Sequence, residues 1–149
     1  MTIDLANAAP AAFGVTISAE DILDSLSFFD TWEERYKYII DLGKEIPAMD
    51  AALKTDDQLI RGCQSQVWIQ EYIFEGRLCF LVDSDAFIVK GLLGVVLAAY
   101  NNKSPSEIIA FDIEQYFEAL GLLKHLSPTR GSGMRAMVAR IQEVAQGAL

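Results

Sequence analysis

The spacing of apolar residues predicts a mainly helical chain with a pair of strands near its middle. The clearest helix opens at Asp30, with Glu33 in its first turn, and stops at Gly43 and Pro47. Four apolar residues lie at i, i+4, i+7 and i+8 of this helix: Trp32, Tyr36, Ile39 and Ile40. Together they form one stripe, which indicates a helix packed on a core.

Other helix starts are marked by side chains that accept hydrogen bonds from free N–H groups. Ser18 and Asp21 form a capping box that opens a short helix ending near Phe29. The remaining N-cap candidates are Ser104, Asp112 and Ser127. Residues 87–100 are mostly apolar on all sides, which predicts a central, buried helix. The inward residues of the last helix are Met134, Met137, Val138, Ile141 and Ala145.

Between the helices, residues 66–74 and 78–82 read as two strands joined by a tight turn at Glu75 and Gly76. Large apolar residues occupy both parities of this hairpin, so we expect both faces to be at least partly covered. The fold class is therefore α+β, with a small antiparallel sheet of about three strands packed with helices. We expect a flexible leader at residues 1–16 and a single domain at residues 17–149.

Composition excludes several classes of function. The chain has 149 residues, 52% of them hydrophobic, and a formal net charge of -9, which repels a phosphate backbone and disfavours nucleic-acid binding. Its most apolar stretch, residues 86–100, is shorter than the roughly 20 residues that a membrane span needs, so we expect no membrane insertion. The first residues lack the features of a signal or transit peptide, which favours a cytoplasmic protein with reduced thiols.

The strongest candidate for chemistry is Cys63, at the entrance to the first strand. Gly62 leaves space for an approaching group, Arg61 adds a cation, and Gln64 and Ser65 offer hydrogen-bond donors. Because free cysteines are often buried packing residues, the local pattern leaves both a reactive and an inert thiol open. No phosphate-binding, dinucleotide-binding or HExxH motif is present.

The run GCQSQVW at residues 62–68 resembles the acceptor-cysteine motif of the SufE/CsdE family of sulfur-acceptor proteins. Further segments are similar to that family in the same order. They are WEERYKYIIDLGKEIP at 32–47, DSDAFIVKGLL at 83–93, FD at 111–112 and LLKHLSPTRGSGM at 122–134. The resemblance therefore spans roughly residues 18–145.

The resemblance implies a fold like that of IscU-type scaffold proteins and a role in iron-sulfur cluster assembly. The chain would take sulfur from the persulfide of a pyridoxal-phosphate cysteine desulfurase (SufS/CsdA-like) onto Cys63 and stimulate that enzyme. It would then pass the sulfur to an iron-sulfur scaffold complex (SufBCD-like). On this basis the chain is a sulfur-transfer partner and not itself an enzyme, needs no cofactor or metal, and exists as a monomer or homodimer.

Four further residues carry specific expectations. Arg130 matches a basic family position near the acceptor loop, where it would stabilise sulfur charge, contact the partner, or only begin a helix. Asp85 matches a family position at a helix start, where we expect it to cap that helix, with a partner-facing role as the alternative. His125 and Cys79 are expected to be packing residues. We further hypothesise that the loop around Cys63 shields its sulfur and swings out about Gly62 when the desulfurase docks.

Two alternatives remain open from the residues. In the first, Cys63 is the nucleophile and His125 the base of a stand-alone hydrolase or transferase. In the second, Cys63, Cys79 and His125 hold a metal or cluster together with a carboxylate.

Overall fold

Two helices precede a single hairpin in the described part of the chain, and five helices follow it. The first helix after the hairpin is the central one. The structure is a computed structural model that describes residues 12–47, 49, 51–60 and 65–149. Within that part of the chain it contains seven α-helices and two strands. In order these are α1 (Ala19–Ser27), α2 (Trp32–Gly43), β1 (Val67–Phe74), β2 (Arg77–Ser84), α3 (Phe87–Tyr100), α4 (Pro105–Ala110), α5 (Ile113–Leu120), α6 (Leu122–His125) and α7 (Pro128–Gly147).

The helix starts follow the predicted caps except at α2 and at α3, where the N-cap is Ala86. Ser18 with Asp21 forms a capping box at α1, and Ser104 does the same with Glu107 at α4. The N-cap of α2 is Thr31, whose side chain accepts the Glu34 N–H at 3.2 Å, so the prediction of Asp30 was wrong by one residue. A threonine hydroxyl makes the same hydrogen bond as an aspartate oxygen, and the sequence pattern does not separate the two registers.

Strands β1 and β2 form an antiparallel hairpin that pairs Val67 with Ser84 at its open end and Phe74 with Arg77 at its turn. The turn residues Glu75 and Gly76 both have positive φ angles, as a two-residue hairpin connection requires. Buried residues occur at both parities of β2, which confirms that both faces of the hairpin are covered. They are Leu78, Phe80 and Val82 on one face and Cys79 and Asp83 on the other.

The expectation of about three strands was too high for the described residues, where the sheet has two strands. A third segment, residues 58–60, also pairs with β1 in the described part of the chain. Ile60 donates its N–H to Val67 at 2.8 Å, and Ile69 donates its N–H to Gln58 at 2.9 Å. The pairing does not extend beyond Gln58, because the Gln58 N–H bonds back to Thr55 in the preceding turn.

Helix α3 lies at the centre of the core, and its residues 91–100 are all buried. It contacts α2 closely, and the Gly91 backbone meets the carbonyl group of Ile39. The buried Asn101 follows α3 and joins two segments. Its amide oxygen accepts the Phe80 N–H at 2.8 Å, while its amide nitrogen donates to the Phe13 carbonyl at 2.9 Å. Among the described residues, no helix combines the length and the apolar character that crossing a membrane requires.

Phe13 shows that the described part of the expected leader packs on the domain. Its side chain is 0% exposed and lies over Gly94 of α3. Gly14 follows at a φ of 76° and approaches the Asn101 backbone, where a side chain would clash. Phe13 therefore joins the core of the domain expected at residues 17–149. The alanine-rich pattern around it does not reveal this position.

Candidate functional site

The predicted acceptor residue, Cys63, lies outside the described residues, together with Gly62 and Gln64. The structure does describe the residues on both sides of this segment. Ile60 is buried and its N–H bonds to the carbonyl of Val67 at 2.8 Å, so the two ends of the connection 61–66 are joined by a backbone hydrogen bond. This bond fixes where the connection leaves the sheet and where it returns.

Asp85 holds the returning end of that connection. Its carboxylate oxygen Oδ1 accepts the Gln66 N–H at 3.0 Å, and its own N–H donates to the Gln66 carbonyl at 3.3 Å. The expectation that Asp85 caps α3 was wrong, because the N-cap is Ala86 and no side chain caps that helix. The carboxylate is instead occupied by the Gln66 N–H, across the open end of the hairpin.

Arg130 lies beside the same end of the connection. Its N–H bonds to the hydroxyl of the N-cap Ser127 at 3.3 Å, which places Arg130 in the first turn of α7. Its side chain is exposed and lines a small cavity of about 40 Å³ together with Ser65 and the apolar residues Val89 and Met137. The cavity therefore brings Arg130 and apolar residues together next to Ser65, the described residue nearest to Gln64.

Asp83, which pairs with Trp68 in the hairpin, is the centre of a second polar network that the sequence analysis did not single out. Its carboxylate is 6% exposed, and it lies 3.1 Å from Lys54 Nζ and 3.4 Å from Lys90 Nζ. It also accepts the N–H groups of Met49 and Ser84. Burial alone would raise the pKa of Asp83, but these hydrogen bonds and the Lys90 charge together lower it below its usual value.

Lys54 extends this network to the first strand. Its ammonium lies 5.1 Å from the centre of the Trp68 ring as well as against Asp83. Lys54 follows the short 3₁₀ helix Ala51–Leu53, so the contact holds the segment that leads into residues 58–60. A signal for this network was present in the sequence, since an aspartate at the end of an otherwise apolar strand needs a cationic partner when it is buried.

Cys79 is buried in the sheet, as predicted, and faces Tyr72 on the neighbouring strand. Its sulfur lies 3.8 Å from Oδ1 of Asn102. Burial raises the pKa of the Cys79 thiol, and it also raises the pKa of Tyr72 to about 12, with the nearby Cys79 as a second cause. Both groups are therefore uncharged at neutral pH, and Cys79 has little thiolate for exchange.

His125 makes packing contacts, as predicted. Its ring stacks on Trp32 with 3.7 Å between ring centres, and Nδ1 lies 3.1 Å from the Gly121 carbonyl. The Tyr36 hydroxyl donates to the His125 carbonyl. In the described ranges no group of three or more His, Cys, Asp and Glu side chains is arranged to hold a metal ion.

Comparison with known proteins identifies a family and a fold. A family model described as SufE, the Fe-S metabolism associated domain, matches residues 20–145. An uncharacterized SufE-like protein of Rhizobium meliloti (strain 1021) is 40% identical over 136 residues, which cover 89% of this chain and 97% of the relative. An uncharacterized SufE-like protein of Rhizobium etli is 41% identical over 133 residues, which cover 87% and 90%.

The fold also resembles the solution structure of a hypothetical protein from Thermus thermophilus, with a TM-score of 0.72. The two chains are 15% identical, and the match covers 94% of this chain and 98% of the other. This likeness supports the α+β fold.

Proposed function

Because the chain belongs to the SufE family of Fe-S metabolism, we propose that it carries persulfide sulfur on Cys63 between a cysteine desulfurase and an iron-sulfur scaffold complex. The observation that carries this proposal is the GCQSQVW run at residues 62–68, which lies inside the matched range 20–145. Its two flanks are joined by the bond between Ile60 and Val67. This bond holds together the two ends of the segment that carries Cys63, which suits a residue that must meet a partner protein.

The proposed transfer is a thiol exchange. The Cys63 thiolate attacks the outer sulfur of the donor persulfide, a new S–S bond forms, and the donor cysteine leaves as a thiolate. The sulfane sulfur moves from one cysteine to the other, so no external oxidant or reductant is consumed. The desulfurase is thereby released for another turnover, which accounts for stimulation without an active site of the chain's own.

Arg130 and Asp85 are the proposed supporting residues. Arg130 lines the cavity that contains Ser65, and there its positive charge favours a negative thiolate or persulfide over the neutral thiol. Asp85 fixes Gln66, three residues after Cys63, and thereby limits the region that the thiol can reach. We keep Gly62 and Gln64 as proposed neighbours of the acceptor, the first for space and for hinge motion and the second as a hydrogen-bond donor.

The test is intact-mass measurement after incubation with a purified cysteine desulfurase and L-cysteine in the absence of reductant. We expect one added sulfur on the wild-type chain and none on Cys63→Ser. The matched control is Cys79→Ala, which removes the buried thiol and should still gain one sulfur. Sulfur on Cys63→Ser, or none on the wild type, would contradict the proposal.

The same samples test stimulation of the desulfurase. Alanine production by the desulfurase should rise on adding the wild type or Cys79→Ala and stay at its basal rate with Cys63→Ser. We place this relay in the cytoplasm, where thiols stay reduced. If the wild type leaves the desulfurase rate unchanged, the activator role is wrong. Sulfur acceptance is tested separately, by the mass measurement.

A further inference from the structure

Phe87 is a large aromatic residue left in water at the start of a buried helix. It is the first residue of α3 and its side chain is 81% exposed, whereas residues 91–100 of the same helix are all buried. Its ring is not needed to start the helix, because the N-cap residue is Ala86 and the ring makes no aromatic contact among the described residues. A single exposed aromatic residue is ordinary on a protein surface, so its meaning depends on where it lies.

Phe87 lies at the edge where the connection 61–66 returns to the sheet. Asp85, two residues earlier, holds the Gln66 N–H, and Val89, two residues later, lines the cavity that also contains Ser65 and Arg130. Cys63 is three residues from Gln66, and three residues of chain span at most about 11 Å. A donor that brings its own sulfur into bonding contact with Cys63 must therefore cover the surface around the bond between Asp85 and Gln66.

From this placement we propose that Phe87 is the apolar anchor through which the chain docks its sulfur donor, the cysteine desulfurase. The proposal rests on the proposed function. The exposed residues Gln66 and Asp85 are bonded to one another, and Asp85 lies two residues before Phe87. The exposed Arg130 shares a cavity with Ser65, so the exposed aromatic residue has polar neighbours. This is the usual arrangement of energetic centres in protein interfaces.

The chemistry of the edge defines what the donor must present. An apolar recess beside the mouth of its active site would accept the Phe87 ring. A basic group facing Asp85 and an acidic group facing Arg130 would complement the two exposed charges and fix the orientation of docking. Phe87 is thus a positioning residue, since it acts through the placement of the two sulfur atoms and does not touch them.

Phe28 provides a matched control. It is also 81% exposed, but it lies at the C-terminal end of α1. The neighbouring Phe29 contacts α2, through its ring with Tyr38 and through its carbonyl with Arg35. Phe28→Ala therefore removes the same ring from an equally exposed position on a different part of the surface.

The experiment compares wild type, Phe87→Ala and Phe28→Ala for binding to a purified cysteine desulfurase by titration calorimetry. Burying a phenyl ring predicts that Phe87→Ala raises the Kd about ten- to a hundredfold, while Phe28→Ala binds like the wild type. A second measurement uses glutathione persulfide as a small sulfur donor, with intact mass as the readout. Because this donor needs no docking surface, all three chains should accept sulfur at equal rates.

The outcomes separate the two proposals. The role of Phe87 is wrong if the wild type binds and Phe87→Ala has the same Kd, or if Phe28→Ala raises the Kd as much as Phe87→Ala does. Either result leaves sulfur acceptance intact. Sedimentation velocity adds a third result: if Phe87→Ala dissociates a dimer of the chain while desulfurase binding is unchanged, the ring serves a second copy of the chain and the proposal is wrong. If the wild type neither binds the desulfurase nor gains sulfur from it, both proposals fail.

Discussion

Asp83 keeps a carboxylate charge at a position almost closed to water, and this charge makes stability depend on pH. The pKa of the carboxyl is lower in the folded chain than its ordinary value, so the folded state favours the ionised form. The resulting stabilisation is complete above the pKa of the unfolded chain, about 4, and is lost as the pH falls through the lower folded value. Acid should therefore destabilise the fold through this network.

The corresponding prediction concerns Asp83→Asn. This change leaves Lys54 and Lys90 without their anion, and we expect it to lower the free energy of unfolding at pH 7 by about 2 kcal/mol. The loss should shrink as the pH falls below about 4, because the unfolded wild type then takes up a proton that the folded carboxylate resists. Urea unfolding at several pH values measures it. Parallel pH profiles for the two proteins would show that Asp83 does not carry this dependence.

Single residues were predictable where their neighbours in sequence determine their surroundings. Cys79 lies between Leu78 and Phe80 in a strand covered on both faces, so its burial followed from the local pattern. Asp83 and Asp85 lie on either side of Ser84, so their local sequence does not distinguish them. One is buried against two lysines and the other is exposed and bonded to Gln66, and only the packing of distant segments separates them.

Among the helices, α2 and α3 approach each other so closely that a glycine is required between them. A methyl group at Gly91 would overlap the carbonyl oxygen of Ile39 and lie 2.7 Å from its carbonyl carbon. Because the obstacle is backbone, no side-chain rotation relieves it. We expect Gly91→Ala to lower the free energy of unfolding by about 2 kcal/mol or more, despite the roughly 1 kcal/mol by which alanine favours a helix.

Gly147 is the control for this substitution. It also belongs to a helix, at the end of α7, and a methyl group there would meet nothing within 4 Å. Gly147→Ala should leave stability unchanged or raise it slightly. Thermal unfolding followed by circular dichroism compares the two variants. Equal melting temperatures for both would refute the claim that α2 and α3 depend on this close approach.

The helices and the hairpin were predictable because each is specified by short-range signals. Capping side chains such as Ser104 and the turn at Glu75 and Gly76 act within a few residues. The number of residues in the third paired segment was not predictable. It depends on where Gln58 pairs with β1 and on the turn in which the Gln58 N–H bonds to Thr55. Its pairing partner lies about ten residues away, beyond the reach of local patterns.

Across the whole molecule, four separate segments meet beside the connection 61–66. Ile60 and Val67 flank it, Asp85 comes from the end of the hairpin, and Arg130 comes from α7. The sequence supplied Cys63 and its candidate supporting residues through family resemblance. It did not supply the cavity shared by Ser65 and Arg130 or the bond from Gln66 to Asp85, because both depend on how α3 and α7 pack beside the hairpin.

The segment before α1 is part of this packing, through Phe13. Its ring is 0% exposed over α3, and its carbonyl accepts from the buried Asn101, which also holds the Phe80 N–H in β2. Removing the ring leaves a cavity at the centre of the fold. We expect Phe13→Ala to lower the free energy of unfolding by about 3–5 kcal/mol.

Val15 is the control, because it lies two residues away with its side chain 53% exposed. Val15→Ala should change the free energy of unfolding by no more than about 0.5 kcal/mol. Urea unfolding of both variants, with the sulfur-acceptance assay on the folded protein, measures the two effects together. A Phe13→Ala chain as stable as Val15→Ala would show that the segment from residue 12 to 16 contributes nothing to the core. A large loss would agree with the burial of Phe13 in the core.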